Sequence, residues 1–174
     1  DGLPLAIQTP ANSAFQADGI VATPRLPQLM AADQLVYFMI RDAFPGRPMY
    51  FSRTAGGYPY ELGLERYVMT QGMAKKLLPQ PVVAGKDTVL IQGEGYVDIN
   101  RSKALWDSVF TATKSLTERN GWVDDASVGI PDLYVISGVT LAEALAGAGR
   151  LKESDEVFQE SRAIAKSMRR VFEP

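Results

Sequence analysis

The residues best suited to chemistry lie together in the stretch SRTAGGYPYE, Ser52 to Glu61. Arg53 offers a planar fork to an anion, and Tyr58 and Tyr60 offer flat faces to a sugar ring or a peptide. Glu61 completes the candidate ligand-binding set, and Gly56 with Gly57 would let backbone approach a ligand. The competing reading is a plain turn, in which Gly-Gly supplies positive φ and Tyr-Pro stiffens the exit. That reading is the favoured one.

Other chemistry is bounded by what the chain lacks. With no histidine and no cysteine, thiolate catalysis, disulfides, Ser-His-Asp chemistry and the usual zinc sites are excluded. Acid–base work would fall to carboxylates, Lys or Tyr. Acidic pairs occur at Asp124/Asp125, Glu61/Glu65 and Asp155/Glu156, spacings that usually belong to solvated helix faces. GEGYVD and AGGYP carry neither glycine-rich phosphate-binding pattern. No catalytic residue, metal or cofactor is expected. The NRS sequon at Asn100 is better explained as a helix cap.

These residues must be positioned by a chain of 174 residues, 46% apolar and 22% charged, with a net charge of −2. Such a chain can bury a core but presents no basic field for nucleic acid. Its longest continuous apolar run, LVYFMI (Leu35 to Ile40), is far below the roughly 20 residues that span a bilayer. The absence of cysteine fits an extracytoplasmic place. The start DGLPLAIQTP lacks a signal-peptide pattern, so an exported protein would be present here in a mature or excised form.

Three regions are expected: an extended Pro-rich arm (1–28), an α/β layer (29–99) and a helical part (100–174). Four prolines in the arm forbid helix, and no hairpin signal pairs its two apolar runs. The arm is therefore expected to order against its own chain, or alternatively against a neighbouring copy. Leu29 to Phe44 reads as a helix whose inward stripe is Ala32, Leu35, Val36, Met39, Ile40 and Ala43, with Asp33, Gln34, Arg41 and Asp42 off it. GIVAT, that helix and MYFS suggest a strand–helix–strand unit. Glu61 to Met73 reads as a second helix, and AKKLLP and DTVLIQG as strands. Asn100 is the expected cap of a helix over 101–118 with a Leu105, Val109, Ala112, Leu116 stripe. Two further helices run from Pro131 to about Ala148 and from Leu151 to about Phe172, the latter with Val157, Ser161, Ile164, Met168 and Val171 on one face. LAEALAGAGRLKESDEVFQESRAI resembles one tetratricopeptide-type hairpin, from Leu141, Ala142, Leu145, Gly149, Ser154, Phe158 and Ser161. Gly138 and Lys166 depart from that pattern, and Phe158 is expected to be buried.

The pieces IRDAF, RPMYFS, LGLERYVMTQGMAKKLLP and GYVDINRSKALW, spread over about residues 30 to 106, resemble the C-terminal soluble region of a bacterial membrane-protein family. That family is domain-of-unknown-function 2723, similar to protein O-mannosyltransferases with a GT-C type core. The membrane spans and acidic external loop of that family have no counterpart here, so the resemblance carries over no catalytic residue. It implies a non-catalytic, extracytoplasmic accessory or interaction domain associated with protein glycosylation, its partner a protein or a glycan. A second reading is a self-assembling surface or filament subunit that binds other copies of itself. A carboxylate-based enzyme acting on glycans comes last.

Overall fold

The computed structural model describes residues 2, 4–8, 14–118 and 126–168. The fold is mixed: helices and small sheets distributed over two compact units. One unit is Asp1–Met69 with Ala74–Val82, the other Thr70–Met73 with Val83–Pro174.

In the first unit the arm is built into the fold. Strand β1 (Ala6–Gln8) is paired antiparallel with β4 (Gln28–Met30). β2 (Phe15–Ala17) and β3 (Ile20–Ala22) form a hairpin around Asp18–Gly19, whose φ angles are 42° and 88°. Asp-Gly is a strong hairpin turn, which the expectation of an extended arm leaves out. The runs LPLAIQ and GIVAT are not paired with each other, since β1 of the first pairs with β4 and β3 of the second with β2. Ile20 and Ala22 are buried while Val21 between them is exposed, the period of a strand with one inward face.

Helix α1 (Ala31–Ala43) lies where the sequence places it but is rotated about its axis. Its buried residues are Asp33, Gln34, Tyr37 and Ile40, whereas Ala32, Leu35 and Met39 are exposed. The inward polar groups are satisfied: Met30 N–H donates to Asp33 Oδ2 at 2.8 Å, and Gln34 Nε2 donates to the Pro4 and Leu29 carbonyls at 3.1 and 3.2 Å. Tyr37 donates to the Leu62 carbonyl at 2.6 Å. A polar side chain can be buried once it has such partners.

β5 (Tyr50–Ser52) follows, paired with β7 (Ala74–Leu77) and not with β3, so the expected strand–helix–strand unit is not formed. The helix expected over 61–73 is also absent. A single turn α2 (Tyr58–Glu61) and a 3-10 turn at Glu65–Tyr67 lead into β6 (Val68–Gln71). Val68 and Thr70 are buried with Met69 and Gln71 less so, a period of two. Ile20, Ile40, Leu62, Leu64 and Leu77, each at most 1% exposed, fill this unit's core.

In the second unit, Thr70–Met73 is followed from Val83 by a hairpin of β8 (Thr88–Ile91) and β9 (Gly95–Asp98). Its strands pair antiparallel in the register Thr88 to Asp98, Val89 to Val97, Leu90 to Tyr96 and Ile91 to Gly95. Asp98, not Asn100, caps α3 (Ile99–Ser108): its Oδ1 accepts from Arg101 N–H at 2.9 Å, while Asn100 Oδ1 accepts from Arg150 Nη1. The helix expected to continue to 118 stops short. Val109 is 59% exposed, Phe110 stacks edge-on against Tyr134 at 5.9 Å, and α4 (Thr113–Thr117) resumes with Leu116 inward.

α5 (Gly129–Gly147) and α6 (Leu151–Ser167) make a helical hairpin. α6 buries Val157, Ser161, Ile164 and Met168, as its spacing predicts; Val171 and Phe172 lie outside the described residues. Phe158, expected inside, is 43% exposed. The small residue that matters is Gly138. A Cβ there would collide with Ser161 Oγ and stand 2.6 Å from Trp106 Cη2. The Trp106 indole occupies that space and donates to Glu160 Oε2 at 2.7 Å. Together with the turn before it, α5 is long and apolar enough to cross a membrane by length and composition, which no uninterrupted apolar run suggested. Half of that segment is buried in the unit, against α6, α3 and β8, and a core helix has the same composition.

Candidate functional site

Arg53, Tyr58, Tyr60 and Glu61 all lie in the first unit, but they do not converge on one outward surface. After Ser52, whose Oγ accepts from Thr54 N–H at 3.2 Å, the chain makes a 3-10 turn at Arg53–Ala55. Arg53 is buried and already engaged. Gly56 closes the turn with φ 55° and ψ −125°, a conformation open to glycine, whereas Gly57, with φ −80°, needs no such freedom. The turn reading therefore rests on one glycine of the pair.

α2 then sends its two tyrosines in different directions. Tyr58 donates to Asp33 Oδ1 at 2.6 Å. Burial pushes the Tyr58 and Tyr37 hydroxyls up from their ordinary value, and the Asp33 carboxylate pushes both further. Tyr60 is 54% exposed, and the Arg25 guanidinium lies 3.8 Å from the centre of its ring. Arg25 also pairs with Glu65, and its N–H donates to the Glu61 carbonyl at 2.8 Å. The Glu61 side chain is exposed. The loop's polar groups thus hold α2 to Asp33 and Arg25. These two long-range partners carry no local sequence signal.

The acidic pairs fare similarly. Glu65 meets Arg25, Asp155 accepts from Gln159 Nε2 at 3.2 Å, and Glu156 stands 3.9 Å from Lys152. Asp124 and Asp125 lie outside the described residues. Among the described residues no three carboxylates gather as a metal would need.

A different surface stands out, and it follows from the rotation of α1. Leu35 and Met39, 52% and 51% exposed, flank Phe38 along the outer side of the helix. With Asp42, Ala43, Gly46 and Arg47 they line an open groove of about 650 Å³. The Arg41 guanidinium sits 4.6 Å from the Phe38 ring and bonds both Asp42 carboxylate oxygens at 2.6 and 3.1 Å. Its hydrogen bond holds the Asp42 carboxyl below the usual carboxylate range. Chemically this is an apolar strip ended by fixed charges, suited to holding an apolar side chain rather than to moving protons. The apolar spacing of Leu35 and Met39 is legible in the sequence, but spacing alone points it to the core and not to this surface.

Compared with family models, with curated proteins and with solved structures, the chain matches none.

Proposed function

We propose that this chain is a non-catalytic interaction domain that works outside the cytoplasm and holds an apolar segment of a protein partner against α1. The observation that carries the reading is the half-exposure of Leu35 and Met39 on a helix whose Asp33 and Gln34 are buried. Single exposed apolar side chains are ordinary, but a contiguous strip with a charged end marks a contact surface. A fitting partner brings one or two aliphatic or aromatic anchors for Leu35, Phe38 and Met39, and a carboxylate for Arg47. The loop 52–61, with Arg53, Tyr58, Tyr60 and Glu61, belongs to the scaffold behind that surface.

The extracytoplasmic place is supported by the cysteine-free composition and by the resemblance to the soluble C-terminal region of O-mannosyltransferase-like membrane proteins. The tetratricopeptide-like pattern over 141–161 points toward protein binding in the same way. Self-association is the second reading, favoured by the exposed Asp155 at one end of α6 and the exposed Arg162 and Lys166 at the other.

The test is a photoreactive phenylalanine analogue at position 39, irradiated in intact cells that are then fractionated. The expected result is one adduct of discrete mass in the extracytoplasmic fraction, identified by mass spectrometry and lost on Leu35→Glu. No adduct from position 39, or the same adducts from a control at Lys152, would overturn the reading.

A further inference from the structure

The outward side of α6 carries Asp155, Gln159, Arg162 and Lys166, spaced i, i+4, i+7 and i+11, so they form one stripe along the helix. All four are exposed, and the opposite side is the buried Val157, Ser161, Ile164 and Met168. The stripe is acidic at one end and basic at the other. Asp155 is held by the neutral Gln159 amide, while Arg162 and Lys166 have no ion-pair partner among the described residues. Beside the stripe, Phe158 is 43% and Leu151 68% exposed.

The basic half is also an open groove of about 520 Å³, lined by Gln159, Arg162, Ala163, Ala165 and Lys166. Two alanines leave room there for a ring, and two cations ask for a carboxylate. The acidic half of the same helix face presents those groups, Phe158 next to Asp155. The two halves stand at matching distances from a centre between Glu160 and Ser161.

We infer that α6 pairs antiparallel with α6 of a second copy about a two-fold axis near Glu160–Ser161. Asp155 of one copy then faces Lys166 of the other, and Phe158 lies on Ala165 beneath the Arg162 guanidinium of the other. Because a two-fold interface is isologous, each contact is made twice. Charge complementarity sets the antiparallel register, since a parallel pair would oppose like charges. α6 belongs to the second unit and α1 to the first, and pairing through α6 needs no heterologous partner.

Sedimentation equilibrium of the full chain tests it, over a roughly hundredfold concentration range that reaches the high micromolar. The expected result is a monomer–dimer equilibrium that weakens as salt is raised. Asp155→Lys and Lys166→Asp, both at exposed positions, should each weaken the dimer about tenfold, because each opposes like charges at two symmetry-related places. The double variant Asp155→Lys with Lys166→Asp should restore it. Circular dichroism checks that each variant is folded. A monomer at every concentration, or single variants that dimerise like the parent, overturns the inference. A monomer that still gives the position-39 adduct in cells would sink the α6 pairing and leave the α1 reading standing.

Discussion

Asp33 holds two elements at once, because its two carboxylate oxygens accept from Met30 N–H and from the Tyr58 hydroxyl. Asp33→Ala should cost about 2–4 kcal/mol, combining a lost helix-start acceptor with a buried hydroxyl left unpaired. Tyr58→Phe keeps the Met30 bond and should cost about 1–2 kcal/mol. Urea denaturation measures both, and equal costs would mean that the Met30 bond contributes nothing. The same cluster predicts an alkaline limit. The Tyr37 and Tyr58 hydroxyls are raised in the folded state, first by burial and then by Asp33. In the unfolded chain they ionise near the ordinary value of about 10, so the unfolded state loses its protons first. Their contribution is complete below that pH and declines as pH rises through the interval up to the folded values. Thermal midpoints between pH 8 and pH 11 should therefore fall more steeply for the parent than for Tyr37→Phe with Tyr58→Phe. Parallel curves would refute the burial argument.

At the scale of the element, α6 separates two of its apolar residues, Ile164 and Phe158, by their direction. Ile164, fully buried, should cost about 2–5 kcal/mol when cut to Ala. Phe158→Ala should cost less than about 1 kcal/mol in the monomer, since its ring is 43% exposed. Gly138→Ala pits two effects against each other. Alanine gains up to about 1 kcal/mol of helix propensity. A methyl group in the space of Ser161 and Trp106 costs about 1–3 kcal/mol by overpacking, and the net should be destabilising. A stabilised Gly138→Ala protein in thermal unfolding would show that the two helices part easily. The spacing of α6 made its inward face legible in the sequence. The exposure of Phe158 was not legible, because the repeat pattern places its aromatic inside, whereas the space beside Gly138 is filled by Trp106 from α3.

At the scale of the whole molecule, each unit has its own apolar core. The arm belongs to the first: β1 pairs with β4, Ala31 N–H donates to the Leu5 carbonyl at 2.9 Å, and the Phe15 ring lies 4.5 Å from Tyr37. Deleting residues 1–17 should lower the thermal midpoint without changing the association state. An unchanged midpoint would mean that the arm is only a linker, and loss of association would place the self-recognition surface there and not on α6.

Local chemistry determined much of this protein from sequence alone. The absence of His and Cys restricted the available catalysis. Apolar spacing located α1 and α6, and Pro131 with the GAGR turn bounded α5, to within a few residues. The strands at 50–52, 74–77 and 88–91 came from runs bounded by turn residues. Gly56 supplies the positive φ of its turn because tolerance of that conformation belongs to the residue type, whereas Gly57 does not use it. Only the tertiary structure decided which way these elements face. Asp33 and Gln34 turn inward because Tyr58, Pro4, Leu29 and Met30 satisfy them, and Leu35 and Met39 turn outward in consequence. Val68 to Gln71 is a strand and not part of a helix because Val68 and Thr70 are buried on one face with Met69 and Gln71 on the other. Periodicity records what a segment could bury; the burial of a polar group depends on partners that the chain brings from far away, 30 residues for Gln34 and 54 for Trp106.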